Sequence, residues 1–272
     1  MGIEGGNDRM EEEQQDVWTL VQQKVILLGS PDSEIREEAY SALFNWLLEE
    51  NALGKSQMEE LLQQSVSDSG LFYGIGEKET DSVFKRTFTS LLIALLLTCD
   101  NRKPYLTRES YDLALKALIR YCHLEDDFRG YVEVKGWAHA AAHVADALDE
   151  CAMSRYAGAK ECTEIWTGVQ ALLERPAEVY QREEDERLAT AIVSMIQSQK
   201  VSFATICEWL GQMEPARTKS VESYTLNTNR KHFLRCLYTR LYDQREKFEE
   251  TGMGLNRLLE LEKRFNRFRL QA

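Results

Sequence analysis

Four side chains between Lys135 and Asp146 have the types and spacing for chemistry in this 272-residue chain. They lie in DFRGYVEVKGWAHAAAHVAD, from Asp127 to Asp146. On a helix advancing about 100° per residue, Lys135, His139, His143 and Asp146 fall within roughly 80° of arc. Two imidazoles at i and i+4 can bind one divalent metal ion, and Asp146 could add a third ligand. The glutamate of H-E-x-x-H is missing, so a zinc-protease mechanism does not follow. The same strip also suits a pocket for a polar ligand or partner, or a plain solvated face, because a histidine's role is set by its partners. Trp137, Ala141, Val144 and Leu148 fall nearly opposite and should pack on the core, with Trp137 buried between helices.

A second cluster opens the next helix upstream: Tyr73-Gly74-Ile75-Gly76-Glu77, then Thr80, Asp81, Ser82, Lys85 and Arg86. Gly-Ile-Gly could turn backbone N–H groups toward an anion, but it lacks the third glycine and the preceding strand of a dinucleotide loop. Loop geometry is the simpler reason for these glycines. A third cluster, Glu183, Glu184, Asp185, Glu186 and Arg187, opens a later helix, where acidic residues favour the N-terminal dipole by about 0.3 to 1 kcal/mol each. Arg86, Arg129 and Lys135 could bind a phosphorylated or other anionic small molecule, although each has acids nearby to pair with.

These residues must be positioned by helices. Leu, Ala, Glu, Gln and Arg recur at helical spacings, while glycine (15) and proline (4) are scarce. The first helix is expected from about Asp8 to Leu28, burying Val17, Leu20, Val21, Val25 and Leu28. The next runs to about Glu50 and buries Ile35, Ala39, Leu43 and Leu47. Ser56 with Glu59 reads as a capping box. Further helices are expected near residues 81–99, 107–122, 135–153, 160–174, 185–199, 202–213, 229–249 and 255–270. The helix with Leu91 to Leu97 is apolar on every side and should cross the core, its polar first turns emerging at one edge. Paired as hairpins, the units begin near 33, 81, 135, 185 and 229, close to the roughly 40 to 47 residues of two-helix HEAT-type repeats.

The fold class expected is therefore all-α: an irregular HEAT-like α-solenoid of stacked hairpins in one domain over residues 1–272. All three clusters sit at the start of the first helix of a hairpin, so Glu77 or Asp81, His139, His143 and Asp185 should share one concave surface.

The formal charge of −12 is unevenly placed, with 13 Lys/Arg against 7 Asp/Glu in residues 217–272. An acidic body with a basic end argues against nucleic-acid binding by the whole chain. The C-terminal helices read as a cap, with Leu258, Leu259, Leu261, Phe265 and Phe268 inward and a basic exterior. Residues 1–16 lack a secretory pattern and read as a flexible start, and the longest apolar run falls short of the roughly 20 residues that span a bilayer. A cytoplasmic location without membrane contact is expected. Six cysteines without a C-x-x-C pair read as reduced, packed thiols.

The segments YGIGEKETDSVFKRTF (73–88), RGYVEVKGWAHAAAHVADAL (129–148) and EDERLA (184–189) resemble a bacterial family catalogued as domain of unknown function 2785, over about residues 35–215. The resemblance implies a helical, HEAT-like fold and no established activity. It places Glu77, Asp81, Arg86, Arg129, Lys135, Trp137, His139, His143, Asp146, Asp185 and Arg187 on the family's motif positions, and carries nothing over to the basic C-terminal part. Neither G-x-S-x-G nor a P-loop is present. The expected function is an intracellular binding or scaffold protein with a polar groove for a protein or an anionic small ligand. The alternative is a hydrolytic or oxidative metal-dependent enzyme with His139 and His143 as ligands and Asp81, Asp146 or Glu77 completing the shell or acting as base.

Overall fold

A computed structural model describes residues 17–247 and 251–266. The chain is mostly helical: α1 (17–27), α2 (Ser33–Phe44) continued by a π-helical turn (Asn45–Glu49), α3 (Lys55–Ser65), α4 (Ser82–Arg102) and α5 (Arg108–Leu124). A two-stranded hairpin follows, β1 (Tyr131–Val132) and β2 (Gly136–Trp137), then α6 (Ala140–Met153), α7 (Ala159–Glu174), α8 (Glu184–Gln197), α9 (Phe203–Gly211), α10 (Val221–Asp243) and α11 (Thr251–Phe265). Side-chain caps start several helices: the Asp32 carboxylate accepts from the Glu34 and Ile35 amides, and the Thr107, Ser202 and Ser220 hydroxyls accept from the third residue on. The expected Ser56/Glu59 box is replaced by Gly54 with Gln57, whose Oε1 accepts from the Gly54 amide.

The helices pack as one continuous first row and a second, interrupted set. α4 packs on α6, α6 on α8 and α8 on α10, while α3 packs on α5, α5 on α7, and α9 on α11. α4 touches α2, α3 and α6, and Leu92 to Leu97 are all buried. By length and composition α4 could cross a membrane, but 78% of its apolar window is buried inside the protein, as expected of a core helix. The main apolar core runs from Val21 to Phe265, and Val83, Phe84 and Ala138 form a small second cluster. All six cysteines are unpaired thiols, five of them buried.

Side-chain hydrogen bonds between these elements recur at nearly constant sequence separation. Asp127 accepts from the Glu79 amide 48 residues away, Asn101 donates to Glu150 at 49, Arg175 to the Glu125 carbonyl at 50, Lys200 to the Ala152 carbonyl at 48, and Arg264 to Glu214 at 50. These bonds stitch segments to others about fifty residues on, beside bonds at 39, 60 and 99.

Several expectations need correction. Ile35 is 43% exposed while Arg36 beside it is fully buried, and Leu20 lies partly in solvent. No helix spans 135–139: Lys135 sits in the hairpin turn, Trp137 in β2, and α6 begins only at Ala140. α10 starts at Val221, earlier than expected, and packs along α8 as one more member of the first row. α11 does bury Leu258, Leu261 and Phe265. Phe268 and the expected helix start at Asp8 lie outside the described residues.

Candidate functional site

The β1–β2 hairpin decides where the motif residues go. Val134, Gly136 and His139 all have positive φ (68°, 80° and 55°), which no α-helix allows. Gly136 lies against α2, where an added Cβ would stand 2.7 Å from Ser33 Cβ. From the same helix the buried Arg36 donates to the Lys135 carbonyl (2.6 Å), the Trp137 carbonyl (3.3 Å) and the Ser30 carbonyl (2.6 Å), with its guanidinium 4.1 Å from the Phe84 ring centroid. The Ala138 and His139 amides then bond to the Gly130 and Arg129 carbonyls, which closes the loop and leaves His139 as the residue before α6.

Trp137 is therefore not a core residue. It is 37% exposed and stacks on His139, ring centroids 4.6 Å apart and planes 22° from parallel. The prediction of a buried Trp137 fails because it extended the helical phase of α6 back into a strand. Ala141, Val144 and Leu148 are buried as expected.

Trp137, His139 and His143 line a cleft of about 690 Å³, together with Tyr40 of α2, Phe88 of α4 and Arg187 of α8. His139 Nε2 is 2.9 Å from the Arg182 carbonyl and 3.5 Å from Glu184 Oε1. A carbonyl can only accept, so Nε2 carries the proton. His143 is 6% exposed, meets Phe88 edge-on at 5.2 Å, and its Nδ1 is buried without a hydrogen-bond partner. Burial, then repulsion from His139 and Arg187, pushes its pKa down to about 3, against the pull of the Thr87 carbonyl. Asp146 bonds to Arg187 (2.5 Å), yet burial pushes its carboxyl up to about 6. Burial also raises the Tyr40 phenol. Near pH 7 the cleft thus presents a neutral imidazole, a phenol and a cation paired on one side. A base with so low a pKa is poorly matched to proton transfer at that pH, whereas a neutral ring still forms hydrogen bonds.

The expected metal set does not assemble. His139 Nε2 is committed to a carbonyl and Asp146 to Arg187, and among the described residues no group of three or more His, Cys, Asp or Glu is placed to hold a metal ion.

Arg86, expected as an anion binder, is fully buried. Its Nε and Nη2 meet Glu125 at 2.7 and 2.9 Å, and Nη1 donates to the Tyr73 and Gly74 carbonyls and to Ser82 Oγ. Its donors are spent inside the protein. Arg129 forks onto Asp127 (2.8 and 2.6 Å) and reaches the Thr80 carbonyl, and Lys135 meets both oxygens of Asp81 at 2.7 and 2.8 Å. Glu77 accepts from Ser82 and Thr80, bonds that hold its carboxyl below the usual range. Asp185 feels His232 and Cys236 of α10, and its carboxyl is raised by burial.

The shared surface expected for these residues therefore divides. Glu77 and Asp81 rim a separate cavity of about 970 Å³ beside α1, His139, His143 and Arg187 line the histidine cleft, and Asp185 interacts with α10. Hydrogen bonds still join the three motif segments through Arg129 to Thr80, Lys135 to Asp81, His139 to Arg182 and Arg187 to Asp146. Sequence reasoning missed Tyr40, although Arg36 and Tyr40 at i and i+4 mark one face of α2, and it missed Glu125 and Asp127 as partners of the two arginines.

Comparison with known proteins adds one match: residues 71–239 correspond to the family described as Protein of unknown function (DUF2785). No curated protein and no solved structure matches the chain. The match starts and ends later than the 35–215 expected, so most of α10 lies inside it while Arg36 and Tyr40 lie before it. It covers more than half of the chain, which belongs to this family.

Proposed function

We propose that this member of the DUF2785 family is a helical-repeat binding protein, an irregular HEAT-like solenoid that holds a small anionic ligand in the histidine cleft. The repeat reading is supported by hydrogen-bond separations near fifty residues and by the row α4, α6, α8, α10.

The observation that carries the binding reading is His143 Nδ1, buried in the wall of the cleft without a partner. Leaving such a group unsatisfied costs about 1 to 3 kcal/mol, and because a neutral imidazole has one donor and one acceptor nitrogen, an anion that also bears a hydroxyl, such as a hydroxy acid or a phosphate monoester, offsets it. Arg187 uses only Nη1 on Asp146, so its remaining nitrogens suit a carboxylate or phosphate. The exposed Trp137–His139 stack provides a flat wall beside it.

The test is small-molecule mass spectrometry on full-length protein purified without a polyhistidine tag and then denatured. An anionic compound should be released in near-stoichiometric amount by the wild type and at least tenfold less by His143→Phe and Arg187→Gln. Equal release from all three proteins, or no released anion from any, overturns the proposal. A stoichiometric divalent ion lost in His143→Phe would favour a metal centre instead.

A further inference from the structure

The cavity beside α1 carries its own unmet hydrogen-bonding groups. Thr89 of α4 is 2% exposed, and its Oγ1 has no partner, although a helical threonine normally returns its hydroxyl to a carbonyl one turn back. Across the cavity the Nε2 of Gln22 on α1 is likewise buried and unpartnered. Both residues, on different helices, line one space of about 970 Å³, within the roughly 300 to 1,000 Å³ of small-molecule sites.

The other groups on the wall narrow the ligand class. Lys85 donates to the Val25 carbonyl at 2.6 Å and keeps its charge, while Asp81 is neutralised by Lys135. Glu77 accepts its two bonds on Oε2, which leaves Oε1 to accept another. Tyr73 presents an exposed ring and phenol at the rim. The unsatisfied groups are thus a hydroxyl, an amide, a phenol and one carboxylate oxygen, beside a flat apolar face. Asp81 is paired with Lys135, and the ammonium of Lys85 balances Glu77 across the wall, so the described lining carries no net charge to recruit an ion of either sign. Groups that both give and accept hydrogen bonds, next to an aromatic face, match the alternating hydroxyls and C–H faces of a polyol ring.

We infer that the cavity between α1 and the N-terminal half of α4 is a second ligand site, independent of the histidine cleft, that takes a neutral polyhydroxylated molecule of saccharide size through Thr89, Gln22, Glu77 and Tyr73.

The test is saturation-transfer NMR and calorimetry on the full chain, with D-glucose, maltose and myo-inositol as neutral probes and putrescine and inorganic phosphate as charged ones. At least one neutral probe should bind, and its affinity should fall tenfold or more in both Thr89→Val and Gln22→Leu. Thermal melting keeps the result interpretable: Thr89→Val is nearly isosteric and removes an unpaired hydroxyl, so it should melt at or above the wild-type temperature in ligand-free buffer. Failure of all three neutral probes, neutral-probe binding unchanged in both variants, or binding confined to putrescine or phosphate overturns the inference.

Discussion

Replacing Arg86 by methionine removes the cation that ties the α3–α4 and α5–β1 connections together. The side chain is fully buried, and Glu125 opposite it is equally so. Its Nε and Nη2 hold the Glu125 carboxylate, whose Oε1 also accepts from the Asp126 and Asp127 amides at 3.0 and 2.9 Å. Nη1 satisfies the Tyr73 and Gly74 carbonyls. Methionine fills much of the volume but makes none of these bonds, leaving a buried carboxylate without its counter-ion and two carbonyls with one acceptor bond fewer. Breaking a buried pair on one side costs about 3 to 5 kcal/mol. With a urea slope of about 3 kcal/mol/M, the midpoint should fall by roughly 1 to 1.7 M. Equilibrium unfolding followed by circular dichroism and tryptophan fluorescence measures this directly. Arg86→Met/Glu125→Gln should recover part of the loss, because the stranded charge is gone while the amides keep an acceptor. A single-variant loss below about 1 kcal/mol, or no recovery in the double variant, would refute the view that Arg86 is a clamp whose donors are used up inside the protein.

Other outcomes follow from the cleft and the hairpin. Trp137→Ala should cost only about 0.5 to 1.5 kcal/mol, the worth of an exposed aromatic pair, and a loss above about 3 kcal/mol by urea unfolding would return Trp137 to the core. His143 binds its proton more weakly in the folded state, so it lowers stability as pH falls from about 6.5 toward 3; urea midpoints across that range should decline less in His143→Phe than in the wild type. Asp146 has the opposite sign: its raised pKa makes stability fall as pH rises from about 4 to 6, and Asp146→Asn should remove that component from the same midpoint series. Gly136→Ala should destabilise by about 1 to 3 kcal/mol in chemical unfolding, since it combines a positive φ with a Cβ 2.7 Å from Ser33.

Helices were legible where one face had to be apolar. Leu92 to Leu97 announce a helix enclosed on all sides, and Ala141, Val144 and Leu148 announce the buried face of α6. The glycines at 74 and 76 read correctly as loop geometry, since both have positive φ. The hairpin did not show. Its strands hold two residues each, too few for a period-2 pattern, and the turn depends on Val134 in a conformation a β-branched residue rarely adopts, leaving it 90% exposed. Extending the phase of α6 backward through that turn misplaced both Lys135 and Trp137. The fate of the arginines was equally hidden: nothing local to Arg86 points to Glu125, 39 residues away, and Arg36 looks like a surface residue until the Lys135 carbonyl arrives 99 residues later. Charge type and spacing identified the segments that meet, but which charges are already paired is decided by tertiary contacts.

The group of hydrogen bonds that recur at separations near fifty residues has a mechanical consequence. If each segment is held chiefly by the one about fifty residues on, a force applied at the two ends would peel the protein one unit at a time from an end, because an inner unit is gripped on both sides. Fifty residues at about 3.4 Å each release roughly 17 nm of contour per event. Under tension the chain should therefore lengthen in a short ladder of similar steps, with extension rather than force as the conserved quantity, and the step carrying the Arg86–Glu125 clamp should need the largest pull.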